Sequence, residues 1–317
     1  MRRKWTEFDT RDQVVDYVNR LQERTGLGLK LLLQWLGLSR GKFHDWRQRY
    51  GMANEHNGKV PRDWWLEGWE KEAIRNFFIL HPREGYRRLA YMMLDAGVVA
   101  CAPATVYREL SAAGFLLKRT GKPSKKGTGY VQPEKPHQEW HIDVTYLNIS
   151  GTFYYLCSVL DGFSRYIVHW DIRESMKEPD VELIVQKALE KFPGARPKLI
   201  SDNGPQFIAI DFKEFIRLCG MTHVRTSPYY PQSNGKQERM QGTVKRECIR
   251  EQNPATVEEA RKVVGGYVGH YNTERLHSAI GYVTPLSKLE GRAAAIQAER
   301  EKKLEAARAR RKAKRAA

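Results

Sequence analysis

The chain has 317 residues, 41% of them hydrophobic, and a formal net charge of +17. That length holds two or three domains with cores of their own, and the charge favours a polyanionic partner, nucleic acid first. No run approaches the roughly 20 apolar residues of a membrane helix, the basic start lacks the apolar stretch of a signal peptide, and Cys101, Cys157, Cys219 and Cys248 form no CxxC pair, which disfavours zinc and disulfides and fits a reducing cytoplasm.

Residues 1–58 read as helical. Val14, Val15, Val18 and Leu21 make a stripe at helical spacing. A helix ended by Gly37 and another capped by Ser39 follow, with Phe43 and Trp46 inward and Lys42, Arg47 and Arg49 outward. A second unit spans 59–117. AIRNFFILHP is a helix stopped by Pro82, GYRRLAYMMLDAG one ended by Gly97, and PATVYRELSAAG one opened by Pro103 and closed by Gly114. Two helices across a short turn have the form of a DNA-binding helix-turn-helix, and equally of a plain helical hairpin. Two such units in a basic chain favour the first reading.

Residues 118–136, with three Gly, three Pro and six basic residues against one acid, form a basic linker. Residues 137–252 carry the chemistry. EWHIDVTYLNI, FYYLCSVLD and RYIVHWDI predict an antiparallel meander. A helix, the strand PKLIS, the helix DFKEFIRLCG, the strand MTHVRTS and a last helix, GKQERMQGTVKRECIR, follow. The sum is an α/β fold, a mixed five-stranded sheet with helices on its faces. Residues 253–290 predict a helical extension. The tail, 291–317, has ten Lys or Arg against three Glu and predicts a helix formed wholly or partly on binding, lying on DNA.

Asp143 is the anomaly of the sequence. It lies mid-strand between Ile142 and Val144, sharing a face with His141 and Thr145. Asp is depleted in strands, so its presence makes sense where that face lines a metal site, and also where it is simply solvated. Asp202 directly follows the strand ending in Ser201, where open α/β sheets place ligand-binding groups, although Asp-Asn-Gly is also ordinary turn chemistry. Glu238 sits in a helix, where most glutamates are solvated surface. The joint spacing changes the weight of all three: positions 203 to 237, 35 residues, separate Asp202 from Glu238.

These pieces resemble the DDE transposase and integrase family. WHIDVT, SDNGPQF and PQSNGKQE, with Lys245 seven positions past Glu238, are similar to the catalytic core of retroviral integrases and of insertion-sequence transposases. More loosely, YNTERLH at 271–277, Thr284 and Pro285 extend the likeness, and residues 74–88 and 105–108 resemble the helix-turn-helix before the core in the two-frame insertion-sequence group. The resemblance implies an RNase H-like core. It implies two Mg²⁺ ions, replaceable by Mn²⁺, with Asp143 bridging both and Asp202 and Glu238 each completing one site. Three carboxylates without Cys or paired His suit such hard cations, and two ions would activate the attacking oxygen and stabilise the leaving one. The reaction implied is strand cleavage freeing a 3′-OH, then attack of that 3′-OH on target DNA.

The implied partner is double-stranded DNA, both element ends and target, bound by a homo-oligomer in the bacterial cytoplasm at the nucleoid. No His/Cys zinc segment precedes the core and no heptad zipper shows in residues 1–60, so an upstream-frame protein is a possible further partner. The candidate DNA contacts are Lys245, Arg239, Tyr230 and Asn234 on the core and Arg87, Arg88 and Arg108 on the second helical unit. Tyr229 and Tyr230 suit base stacking or closing a loop. Gly242, a costly residue inside a helix, suggests something approaching closely, either DNA backbone or a packed neighbour. Asp161 reads as a turn residue, and His141, on the Asp143 face, as a satisfied neighbour or a substrate contact. The competing readings are a non-catalytic DNA-binding regulator and an RNase H-like nuclease.

Overall fold

A computed structural model describes residues 6, 8–52, 65–116, 132–226 and 235–316. The candidate residues Tyr229, Tyr230 and Asn234 and most of the linker lie outside these. The chain divides into two compact units, the second being Leu66–Lys314.

The first unit holds α1 (Phe8–Thr25), α2 (Leu29–Trp35) and α3 (Arg40–Gln48). The expected punctuation acts as local chemistry requires: Gly37 takes φ +63° after α2, and the Ser39 hydroxyl accepts from Lys42 N–H at the start of α3. Val15, Val18, Leu32, Leu33, Phe43 and Trp46 close its core. Lys42 and Arg47 are exposed and Arg49 half-exposed.

The second unit begins with α4 (Gly68–Leu80), α5 (Tyr86–Asp95) and α6 (Pro103–Ala112). Ile74, Leu89, Met93, Val106 and Leu110 are fully buried between them. Gly97 takes φ +68° past α5, and Pro103 opens α6. The α5–turn–α6 pair has helix-turn-helix form, with Tyr107 and Arg108 exposed on α6.

The sheet contains β1 (Glu139–Ile149), β2 (Thr152–Asp161), β3 (Ile167–Arg173), β4 (Lys198–Ser201) and β5 (Thr222–Arg225), in the order β3-β2-β1-β4-β5. The meander is antiparallel, whereas β4 runs parallel to both β1 and β5. The crossover from β3 to β4 is α7 (Glu178–Lys191); that from β4 to β5 is α8 (Pro205–Ile208) and α9 (Ile210–Leu218). These helices cover one face over Trp140, Ile142, Cys157 and Val159. The opposite face, with Leu147, Ile149, Leu156 and Leu160, receives α10 (Gly235–Val244) and α12 (Val257–Thr273). This order and these directions are the RNase H-like arrangement.

The α10 helix runs on through a π-helical stretch, Lys245–Ile249, into the short α11 (Arg250–Gln252), and α13 (Pro285–Leu289) leads to the 24-residue α14 (Ala293–Ala316). The motif YNTERLH proves to be a set of joints. Asn272 pairs with both backbone groups of Ile167 at the start of β3 (2.9 and 3.1 Å). Arg275 grips Glu247 with two bonds of 2.7 Å, and Tyr267 donates to the same carboxylate.

The tail differs most from its expectation. It is one continuous helix packed on α4 and α5 rather than a segment only partly helical. Arg300, Lys303, Ala307 and Arg311 recur three or four apart and so share a face. Arg300 holds Asp95 with bonds of 2.7 and 2.6 Å, and Lys303 meets the last carbonyls of α5, where a cation complements the helix dipole. Arg311 donates to the fully buried Glu70 and to the Ala100 carbonyl. Much of the tail's charge is therefore spent on protein carboxylates; Lys302, Arg308 and Lys312 remain exposed.

Candidate active site

The strand β1 carries Asp143 beside Ser158 of β2, on the face that α10 covers. Its Oδ1 accepts its neighbour's backbone N–H, from Val144, at 2.9 Å. The register of β1 with β4 pairs His141 with Ile200. Asp202 follows directly on the last residue of β4, two positions past Ile200, as Asp143 lies two positions past His141 on β1. There the Asp202 carboxylate accepts Gly204 N–H at 3.0 Å, and a Cβ at Gly204 would lie 3.1 Å from that oxygen, so a small residue keeps the turn tight. Glu238 is exposed in the first turn of α10, a position the helix dipole favours for an anion.

The other two carboxylates act on Asp143. Burial first, then the charge of Asp202, with a smaller part from Glu238, pushes the Asp143 carboxyl up to about 7, against the pull of the Val144 N–H and the Gln241 amide. Among the described residues no group of three or more His, Cys, Asp or Glu side chains stands close enough to hold a metal ion. Asp143 nevertheless feels the charges of both Asp202 and Glu238. A divalent cation would relieve the charge that raises Asp143, and carboxylate oxygen donors fit Mg²⁺ or Mn²⁺.

The surroundings rest on residues that the sequence did not single out. Gln237, fully buried in α10, donates to the Ser158 carbonyl and hydroxyl, both at 2.7 Å, fixing the first turn of α10 on β2. Gln241 is also buried, four positions on. The signal was a polar i, i+4 pair on the sheet-facing side of a weakly amphipathic helix, which reads as surface without the sheet in view. Lys245 donates to Thr145 Oγ1 at 2.6 Å. Burial lowers its pKa, while Asp143 opposes that shift.

The other candidates are placed as follows. Arg239 is exposed beside Glu238; Arg87 and Arg88 lie at the start of α5, Arg87 exposed and Arg88 half-buried. Arg108 is exposed and bonds Thr105. Asp161 is buried and accepts from Ser164 N–H, Ser164 hydroxyl and His137 N–H, which is turn chemistry. His141 is buried against Gly162, where a Cβ would come within 3.1 Å of its Nε2. Gly242 is exposed, and a Cβ there meets nothing within 4 Å, so no neighbour among the described residues packs on it. Gly242→Ala is expected to raise the unfolding free energy by about 0.5–1 kcal/mol, the usual helix-interior gain, read by urea denaturation; a loss would show that this backbone needs glycine.

Two family models match, each described as an integrase core domain, at residues 133–231 and 219–285. The transposase for insertion sequence element IS629 of Shigella sonnei is 24% identical over 279 residues, covering 84% of this chain and 93% of its own length. Transposase InsD for insertion element IS2A/D/F/H/I/K of Escherichia coli is 27% identical over 292 residues, with the same coverage. Among solved structures, the simian T-cell lymphotropic virus intasome in complex with PP2A regulatory subunit B56 gamma aligns at 16% identity and a TM-score of 0.46, covering 68% of this chain and 74% of that one. The HTLV-2 integrase catalytic core domain in complex with magnesium aligns at 18% identity and a TM-score of 0.41, covering 49% and 98%. Two integrase-core matches thus span the sheet and all three carboxylates, and along most of its length the chain is similar to insertion-sequence transposases, the likeness expected of the DDE transposase and integrase family.

Proposed function

We propose that the chain is a transposase that cuts DNA at the ends of a mobile element and joins the freed 3′-OH to target DNA, with Asp143, Asp202 and Glu238 as its catalytic carboxylates. The observation that supports this reading is the placement of residues far apart in sequence: Asp143 on β1, Asp202 just past its parallel neighbour β4, and Glu238 in the first turn of α10, which packs on the Asp143 face of the sheet. These carboxylates would hold two Mg²⁺, or Mn²⁺ in its place. Bound there, the cations would supply charge stabilisation for the attacking and leaving oxygens of a phosphodiester exchange.

This chain's residues then have separable tasks. Gln237 anchors the Glu238 turn to β2, and Gly204 N–H orients the Asp202 carboxylate. Lys245, bonded to Thr145 beside Asp143, adds positive charge near the carboxylates. The α4–α6 unit and the first helical unit are proposed to read the element ends, α6 presenting Tyr107 and Arg108. Assembly as a homo-oligomer on two DNA ends in the bacterial cytoplasm follows from the same reading, and an upstream-frame protein remains a candidate partner.

The test is incubation with duplex DNA carrying the element's terminal repeats, with Mg²⁺, with Mn²⁺ and with chelator, alongside an RNA–DNA hybrid of the same sequence. Nicking and joining of duplex DNA that require the cation support the reading. Binding without cutting would make the chain a regulator, and cutting confined to the hybrid would make it an RNase H-like nuclease.

A further inference from the structure

Asp202 lies just past the end of β4, and its main chain is held from β5, the edge strand of the sheet. The Ser201 hydroxyl donates to the Asp202 carbonyl at 2.8 Å, and the same hydroxyl oxygen lies 2.8 Å from Nε2 of His223. A serine hydroxyl has one hydrogen to give. With that hydrogen on the Asp202 carbonyl, the second contact is a bond accepted from His223, whose own hydrogen resides on Nε2. Burial, then the charges of Arg225 and Lys213, lowers the pKa of His223, so at neutral pH the ring is uncharged and this is its one N–H.

Two further bonds run beside this relay. Thr226 N–H donates to the Ser201 carbonyl at 2.9 Å, and the Asn203 amide donates to the Thr226 carbonyl at 2.8 Å. These hold the residues before and after Asp202, while the relay reaches the Asp202 peptide itself. Ser201 is fully buried. Strand alternation puts it on the side of Leu199, which belongs to the core that α7 and α9 cover. There the rings of His223 and Phe212 meet nearly at right angles, their centroids 5.4 Å apart. Asp143 lies on the opposite face, so His223 stands behind the sheet and acts on the site through Ser201.

We propose that His223 is a positioning residue for the carboxylate centre: through Ser201 it orients the Asp202 peptide, and so the direction in which Asp202 offers its oxygens to a divalent cation. The Asp202 carbonyl accepts from Ser201, and its Oδ1 accepts from Gly204 N–H. Main chain and side chain are thus each held by one donor, which keeps the carboxylate near its binding geometry before a cation arrives. Removing an outer partner of a metal ligand commonly costs about 10- to 100-fold in metal affinity or activity. The proposal rests on the reading of Asp202 as a cation ligand in DNA strand transfer.

The experiment compares the full chain with His223→Leu, Ser201→Ala, the two combined, and His223→Gln, whose side-chain amide can donate from the place of Nε2. Each protein, with an end-bearing duplex, is titrated with Mn²⁺ while the free ion is counted by its electron paramagnetic resonance signal. The Mn²⁺ concentration for half-maximal cleavage is read separately, and duplex affinity and melting are followed alongside. His223→Leu and Ser201→Ala are each expected to weaken Mn²⁺ binding by about ten-fold and to raise the half-maximal concentration to match. The double variant should lose no more than the weaker single one, because both changes break one relay. His223→Gln should stay within about three-fold of wild type, since the donor is kept, and duplex affinity should not change. Ser201→Ala protein that melts as wild type does and binds Mn²⁺ equally well overturns the relay. So does a fully additive double variant, or a loss in His223→Gln equal to that in His223→Leu, either of which reduces His223 to packing. Wild-type protein that cuts no duplex DNA with Mg²⁺ or Mn²⁺ overturns the strand-transfer reading itself, and the proposal with it.

Discussion

Asp202→Asn abolishes strand cutting and joining while DNA affinity stays within a few-fold of wild type. The substitution preserves shape, and the amide oxygen still accepts the Gly204 N–H that orders the turn. What is lost is one negative charge facing Asp143. A carboxylate supporting a divalent cation in phosphodiester exchange contributes several kcal/mol, which converts to about a thousand-fold or more in rate. In the cation-free protein the same change removes the Asp202 charge that raises the Asp143 carboxyl, so Asp143 should titrate below about 7. Cleavage of an end-bearing duplex in Mg²⁺ is the measurement, and activity above a few per cent of wild type would remove Asp202 from the chemistry.

Arg311→Ala is expected to lower the unfolding free energy of the second unit by about 3–5 kcal/mol. Glu70 is fully buried, and Arg311 meets it through Nε at 2.9 Å and Nη2 at 2.9 Å while also holding the Ala100 carbonyl. Deleting the guanidinium leaves a carboxylate without its main partner and away from water, the costly half of the asymmetry between removing one partner and removing both. Replacing both, as Glu70→Leu with Arg311→Met, should recover most of the loss. Urea unfolding followed by fluorescence reads each variant. A loss below 1 kcal/mol for Arg311→Ala would mean that Arg310, which reaches Glu70 from an exposed position at 2.8 Å, suffices alone.

The contrast between these two sites shows what the sequence could carry. Asp143, Asp202 and Glu238 stand out in the sequence, and are proposed as the site, because their spacing is a pattern and because an Asp inside a strand violates the local preference. Ser39, Gly97 and Pro103 were legible because capping is local chemistry. The partner of Arg311 was not, since a basic stretch reads the same whether its counter-charges are phosphates or carboxylates more than two hundred residues away. Gln237 and Gln241 were hidden for a related reason: an amide on a polar helix looks solvated until a strand with Ser158 lies against it. The reach of Lys245 to Thr145 was also outside the pattern, because a spacing along the chain does not say which strand a side chain meets.

Glu70 and Arg311 are 241 positions apart. At a synthesis rate of about 5–20 residues per second, roughly ten to fifty seconds separate their appearance. Throughout that interval α4–α6 have only their own small apolar core, and Glu70 is still open to water. The order of emergence thus builds a timer into the chain: the helix-turn-helix unit is made early, and the helix that clamps its turn arrives only after the whole catalytic sheet has been synthesised.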